Sequence, residues 1–395
     1  MERPERDELA RGLEQLSAAH LRRVRRLIQS HPDPHDPTRV IVDGQLLRNF
    51  CSNDYLGLSA HPAVVAAAVQ SLTHGVFGAG ASHLVTGHHR EHDALEEELA
   101  AFTGRERALL FSSGYLANIG AVGALAGRDT RIVADRLCHA SLLDGARLSG
   151  GRLRRYPHGD VAAAARLLQT PAARAGSSSL LLTDAVFSMD GDVAPLADLA
   201  SLARQTRALL IVDDAHGLGV LGTTGRGSLE YAGLTPAAVP LLIGTLGKAL
   251  GSFGAFAAGE ATLIEHLLQH ARSYMYTTAL PPSVAAATRA ALRVITAEPW
   301  RRERVLALVQ RWRAAASDAG LPLTPSHTPI QPLIIGDAER AVALSEALRV
   351  EGFWVSAIRP PTVPAGTARL RISLCAAHQE RDIDALAACL GRHWS

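Results

Sequence analysis

Lysine is almost missing from this chain. Of 40 lysine and arginine side chains all but one are arginine, and the exception is Lys248. Cysteine is scarce too, with 4 thiols at Cys51, Cys138, Cys375 and Cys389, none of them spaced as C-x-x-C. That spacing excludes zinc fingers and dithiol motifs, and free thiols fit a reducing cytosol. Excess charge of one sign is absent as well. A net charge of +2 over 395 residues leaves no field to draw in nucleic acid or an anionic membrane. The run Arg22, Arg23, Arg25, Arg26 reads as a solvated helix face. No apolar run reaches membrane-spanning length, and the opening "MERPERDELARG" is too charged for a signal peptide. No internal repeat is visible.

What is present is the composition of a globular protein with a sizeable core, 47% hydrophobic and 20% charged. Leu9, Leu13, Leu16, Val24, Leu27 and Ile28 recur at helical spacing, which predicts an amphipathic N-terminal helix broken by "HPDPHDP". "RVIVDG" and "QLLRNF" predict a strand pair around an Asp-Gly turn. Short apolar runs then alternate with helical stretches. The strand candidates are "ERALLF", "TRIVAD", "SSLLLTDAVF", "ALLIVDD" and "VPLLIG", and the helices between them include "HDALEEELAAF", "VAAAARLL" and "LADLASLARQ". The locally biased "PAARAGSS" reads as a helix end and loop. This alternation predicts an α/β domain with a mainly parallel sheet between helices. "LPPSV" breaks the pattern near residue 282, an arginine-rich helix is expected through about residue 317, and "PIQPLIIG" and "RLRISL" suggest strands of a smaller α+β domain. The expected divisions are residues 1–50, 51–285 and 286–395.

Lys248 stands in "IGTLGKALGSFGAF", among glycines and apolar residues. Arginine stays protonated in proteins, whereas a poorly solvated lysine loses its proton and becomes a nucleophile able to form a Schiff base. Leu242 and Ala249 stand where a P-loop needs Gly and Ser or Thr, which excludes that motif. In "LLIVDDAHGLGVLG" a buried strand ends in Asp213 and Asp214, either of which offers a carboxylate to a protonated ring nitrogen, and His216 follows. Gly217, Gly219 and Gly222 spell G-x-G-x-x-G, but "GTTGRGS" is poor material for the helix a dinucleotide site needs. "ALLFSSGYLANIGAV" reads as strand, Ser112-Ser113-Gly114 turn and helix, an N-terminus able to hold phosphate or an ordinary cap. Thr245 is a second phosphate donor candidate, His139 in "DRLCHASLLDG" a ring-stacking one, and Ser188 in "VFSMDGDVAPL" a hydroxyl at another strand end.

In this order, "CSNDYLGLSAHP", "FSSGYLAN", "DRLCHASLLDGARLSG", "VFSMDGDVAPL", "IVDDAHGLGVLG" and "GTLGKALGSFGAF" resemble the α-oxoamine synthases, fold-type-I enzymes that use pyridoxal 5′-phosphate. The resemblance runs from about Leu21 to His378. It implies a large domain with a seven-stranded-type sheet, a smaller C-terminal domain and a cytoplasmic homodimer. It implies that Lys248 bonds the cofactor carbonyl, Asp213 pairs with the ring nitrogen, and His139 stacks on the ring. His216 and Ser188 would contact the 3-oxygen side, Gly114 and Tyr115 would line the site, and Thr245 would lie near the phosphate. Asn53 and Arg371 would hold the amino acid carboxylate, while Arg22, Arg359 and Thr362 match substrate-binding positions. "SYMYTTALPP" resembles the segment that reaches the partner's cofactor through Thr277 or Thr278. "AIRPPTVPAGTARLRISLCAAH" points to the member that condenses L-alanine with a pimeloyl thioester, pimeloyl-CoA or pimeloyl-acyl carrier protein. The alternatives are a relative taking glycine or serine with another acyl-CoA, and a non-catalytic cofactor-binding regulator, against which the intact Lys, Asp and His set argues. "TGHHREHDALE" departs from the family pattern at His88 and His89.

Overall fold

Seven strands form the large sheet of the computed structural model, which describes residues 6–170 and 177–394. They are β1 (Arg107–Phe111), β2 (Arg131–Asp135), β3 (Arg152–Tyr156), β4 (Ser179–Asp184), β5 (Leu209–Asp213), β6 (Leu241–Thr245) and β7 (Ala255–Gly259). The spatial order is β1-β7-β6-β5-β4-β2-β3. Only β7 runs against its neighbours β1 and β6.

The sheet is buried on both faces, and side-chain alternation divides the core in two. Ile132, Leu182, Ile211 and Ile243 pack on the side of the helices Gly114–Leu125, Ala140–Leu148 and Ala261–His270. Val133, Leu181, Val212 and Leu242 pack on the opposite side, under Val161–Gln169 and Leu196–Thr206. Two strands carried no apolar-run signal. β3 reads "RLRRY", and as an edge strand it buries little besides Tyr156. β7 is the fully buried "AFAAG", whose small residues make too weak an apolar run to mark a strand.

Packing divides the chain into two compact units. The larger is Leu56–Ser188 with Asp192–Glu303, and the smaller is Met1–Tyr55, Met189–Gly191 and Arg304–Ser395. Helix Pro282–Ala297 packs on Pro62–His74 and Arg90–Thr103, which keeps it in the larger unit. Within the smaller unit, Gln45–Asn49 pairs with Phe353–Trp354, so the N-terminal segment joins the C-terminal part. That unit also holds the antiparallel sheet of Ile330–Gly336, Ala368–Ser373 and Ser356–Ile358.

The hairpin Arg39–Val42/Gln45–Asn49 turns through Asp43 and Gly44 at φ of 51° and 74°. Those positive angles are what a two-residue type I′ turn demands. The N-terminal helix is shorter than its pattern predicts and covers Arg6–Ala18, with His20 at φ 55° beyond it and Ile28–Ser30 in a strand. Val24 and Leu27 are exposed, so no core face extends the helix to them. The arginines at 22–26 accordingly sit outside it. The arginine-rich helix expected through 317 is two helices, Pro282–Ala297 and Trp300–Asp318, separated at Glu298-Pro299. Of the loop read at 171–178, residues 171–176 lie outside the described residues. Among the described residues, no helix is long and apolar enough to cross a membrane.

Candidate active site

Buried strands deliver their polar residues to one rim, because the first position beyond an apolar run is the first that water or a ligand can reach. β1 leads through Ser112 and Ser113 into the helix that starts at Gly114, and Ser113 Oγ caps it by accepting from the Leu116 N–H at 3.3 Å. β2 leads to His139, which precedes the helix Ala140–Leu148. β4, β5 and β6 end at Asp184, Asp213 and Thr245, and Lys248 follows in the turn after β6. These ends enclose a cavity of about 180 Å³. Gly114, Tyr115, His139, Ser188, Asp213, His216, Thr245 and Lys248 all line it. So do Asn118, Asp184, Val186 and Ala215, which sequence reading did not single out.

Lys248 Nζ lies 2.7 Å from His216 Nε2. The two acidic residues of "VDDAH" part company. Asp213 faces the cavity, accepting from Asn118 Nδ2 at 2.6 Å and from the Ala215 N–H at 3.0 Å. Asp214 is fully buried and accepts from the Ser228 N–H at 2.7 Å and Ser228 Oγ at 2.5 Å. Its carboxylate fills the space where side chains at Gly217 and Gly227 would lie, since a Cβ at either would come within about 2.2 Å of it. Burial raises the Asp214 pKa to about 7. Within the G-x-G-x-x-G, Gly217 and Gly222 thus make room for the Asp214 and Glu230 carboxylates, while Gly219, at φ 81°, lies against the Ala249 methyl.

Asn118 is the hub of the site. Its second Nδ2 hydrogen goes to Ser141 Oγ at 2.9 Å, and Ser141 Oγ lies 2.6 Å from His139 Nδ1. The Ser141 backbone N–H also points at His139 Nδ1, at 3.3 Å. With donors converging on Nδ1, the neutral ring carries its proton on Nε2. Burial lowers the His139 pKa, opposed by Asp213. Asp184 accepts from the His139 N–H at 3.0 Å and stands opposite Asp213 on the adjacent strand. Burial, then Asp213, pushes the Asp184 carboxyl well above the usual carboxylate range, so Asp184 is the member of the pair that more readily keeps its proton.

The remaining predicted site residues belong to the smaller unit. Arg371 is buried and donates to Ser373 Oγ at 2.7 Å. It also interacts with Tyr55, whose hydroxyl donates to Asn53 Oδ1 at 3.2 Å, so Arg371 and Asn53 share a neighbour. Arg359 donates to the carbonyls of His20 and Arg22. Thr362 accepts from Arg23 Nη2 at 3.2 Å, while Arg22 itself turns to Ser17 Oγ at 3.4 Å. Arg23, read from the sequence only as part of a solvated arginine run, is therefore the arginine that meets Thr362.

The site chemistry suits a phosphorylated aromatic aldehyde. It offers one amine, a carboxylate for a ring N–H, imidazoles, and a helix N-terminus for phosphate. A Cβ at Gly114 would meet nothing within 4 Å, so that N-terminus is open rather than plugged by protein. Known proteins place the chain among users of that cofactor type. Residues 47–390 match the family "Aminotransferase class I and II". The 8-amino-7-oxononanoate synthase of Methylococcus capsulatus is 56% identical over 382 residues, which are 96% of this chain and 97% of that one. A serine palmitoyltransferase variant from S. paucimobilis, solved with bound PLP–myriocin aldimine, is 28% identical with a TM-score of 0.91, covering 98% of this chain and 96% of that one. A crystal structure of 8-amino-7-oxononanoate synthase from Francisella tularensis is 30% identical with a TM-score of 0.76, covering 88% of this chain and 98% of that one. The chain belongs to the class I and II aminotransferase family, among its 8-amino-7-oxononanoate synthases.

Proposed function

We propose that this chain condenses L-alanine with a pimeloyl thioester to give 8-amino-7-oxononanoate, CO2 and free thiol, a step of biotin formation, with pyridoxal 5′-phosphate as cofactor. The observation that carries the reading is the single lysine of the chain, 2.7 Å from His216 in the cavity that Asp213 and His139 also line. When bound, the cofactor supplies an electron sink for negative charge at the amino acid α-carbon.

The residues divide the remaining work. Lys248 anchors the cofactor aldehyde, and its Nζ is the base that takes the alanine α-proton and returns a proton after CO2 leaves. His216 orients that amine and, with Ser188, would hold an oxygen substituent of the cofactor. Asp213, held by Asn118, would offer its carboxylate to the ring N–H. The N–H groups at Gly114 and Tyr115, with Thr245, take the phosphate. His139 would help hold the cofactor ring and donate from Nε2 to the thioester oxygen as charge develops there. In the smaller unit, Arg371 and Asn53 take the alanine carboxylate, and Arg22, Arg359 and Thr362 serve the acyl substrate. The thioester is carried by CoA or by an acyl carrier protein.

The reading includes a cytoplasmic homodimer, with Thr277 or Thr278 serving the partner's cofactor phosphate. Its support is an exposed apolar stretch. Val65, Val69 and Leu72 lie exposed on one face of the helix Pro62–His74, and beyond its end Val76, Phe77 and Val85 are 53%, 78% and 74% exposed. A monomer rarely leaves such a stretch in water. The deciding assay adds L-alanine and pimeloyl-CoA and follows CoA release, CO2 and the amino ketone product. Turnover with glycine and acetyl-CoA but none with alanine and pimeloyl-CoA would move the chain to another α-oxoamine synthase activity. No turnover with any pair, despite bound cofactor, would make it a non-catalytic binder.

A further inference from the structure

Four histidines crowd the segment His83–His92, and none of them is among the residues that line the cavity. His83 and His88 face each other through Nδ1 at 2.9 Å. The His92 ring lies 5.0 Å from that of His83 and 5.7 Å from that of His88, centroid to centroid. One nitrogen from each of the three falls within 4.8 Å of the others, and among the described residues no other group of three metal-ligating side chains comes this close. We propose that His83, His88 and His92 form a binding site for a divalent transition-metal ion of the Zn2+ class.

The chemistry favours such an ion. Imidazole is a ligand of borderline metals, and three histidines with a water or anion complete a tetrahedral Zn2+ shell. Bonds of about 2.0–2.1 Å put neighbouring ligand nitrogens roughly 3.3 Å apart, so His83 and His88 are already near that spacing and only small ring rotations are needed. Outer partners are in place as well. Metal-bound histidines ordinarily give their second nitrogen to a carbonyl or carboxylate. His92 Nε2 donates to the Leu280 carbonyl at 2.7 Å, which leaves the Nδ1 lone pair for the ion. That lone pair now accepts from the His89 N–H at 2.9 Å, a bond that coordination would exchange. His88 directs Nε2 towards Asp93 Oδ1 at 3.8 Å.

The frame is stiff. His83 stacks on Tyr274 with ring centroids 5.1 Å apart. At Gly87 a Cβ would meet the Ala81 carbonyl at 2.0 Å, so the turn between His83 and His88 admits only glycine there. His83 and His92 are buried, whereas His88 is exposed and gives the ion a way in.

The test is calorimetric titration of the cofactor-loaded enzyme, made without a polyhistidine tag, with Zn2+. Co2+ absorption serves as a second probe of the coordination shell. The expected result is one saturable Zn2+ site per chain, tetrahedral Co2+ bands, and a melting temperature that rises with Zn2+. His88→Ala removes one exposed ligand and should weaken Zn2+ at least tenfold and abolish both the Co2+ bands and the thermal shift. His89→Ala keeps all three ligands and should behave as the parent. Absence of a saturable site in the parent, or less than a tenfold loss in His88→Ala, would overturn the proposal.

Discussion

Replacing His158 with Gln should destabilise the protein by about 2–4 kcal/mol near pH 6 and by almost none of that near pH 10. The side chain bridges two carboxylates. Nδ1 lies 3.1 Å and 3.2 Å from the Asp135 oxygens, and Nε2 lies 2.9 Å from Asp192 Oδ2. Hydrogen bonds to Asp135 and then Asp192 outweigh burial and raise the His158 pKa from 6.5 to about 10. At about 1.4 kcal/mol per pH unit, that rise sets a ceiling of roughly 5 kcal/mol. Solvent lowers the ceiling, since His158 is 25% exposed and Asp192 30%, hence the smaller range. The sign follows from the raised pKa. Stabilisation is complete below the unfolded value of 6.5 and fades as pH climbs through about 10.

The brace matters to the cavity because it ties two of its loops. Asp135 closes β2, just ahead of His139. Asp192 closes the turn that carries Ser188, where the Phe187 N–H donates to the Asp192 carbonyl at 3.0 Å. The assay compares urea unfolding of the parent and His158→Gln holoenzymes at about pH 6, 8 and 10. All other groups titrate in both proteins, so the difference between them isolates His158. A difference that stayed constant across this range would refute the charge-based account and leave His158 as a neutral packing element.

Three further outcomes are expected. Borohydride reduction of the holoenzyme should attach the cofactor to the one peptide containing Lys248, and Lys248→Arg should abolish both this label and the condensation. Label found only on the N-terminal amine would remove Lys248 from its role. Asp213→Asn should slow α-proton exchange of bound alanine severely, whereas Asp214→Asn should chiefly lower the unfolding midpoint, because Asp214 holds the Ser228 loop. The reverse pattern would exchange the two assignments. Arg371→Ala should weaken alanine binding by roughly 2–5 kcal/mol, the cost of leaving a buried charge partner unpaired. An unchanged alanine dissociation constant by spectral titration would move the carboxylate anchor elsewhere.

The sequence was legible where one residue type can do one job. A lone lysine among glycines and a carboxylate ending an apolar strand each stand out as candidates without any fold, and the structure brings both to one cavity; five of the seven large-sheet strands show as apolar runs. β3 escaped because an edge strand buries one residue in five and can be built from arginine, and β7 because "AFAAG" has too little side chain to register as a strand. Asn118, Ser141 and Asp184 escaped for another reason. Each is an ordinary polar residue whose role depends on what the fold sets opposite it. A faint signal existed for Asp184, since "LLLTD" ends as "LLIVD" does and the two aspartates are register partners. Which unit the helix Pro282–Ala297 packs with was not legible either, because that is set by its packing partners, which its own sequence does not name.

Those overlooked residues explain how the site keeps its charges in order. Asp184 and Asp213 end adjacent strands, and two ionised carboxylates at that spacing repel. The protein separates them by environment. Both line the cavity, but Asp184 takes only the His139 backbone N–H and burial holds its carboxyl well above the usual carboxylate range, whereas Asp213 receives the Asn118 amide and the Ala215 N–H. The same Asn118 amide, acting through Ser141, fixes the side of His139 that carries the proton. One amide so positioned sets both the acceptor at one end of the cavity and the donor at the other. Asn118→Asp would keep the shape but replace both N–H donors with acceptors, reversing the bond to Ser141 Oγ and setting a second carboxylate against Asp213, which repels it.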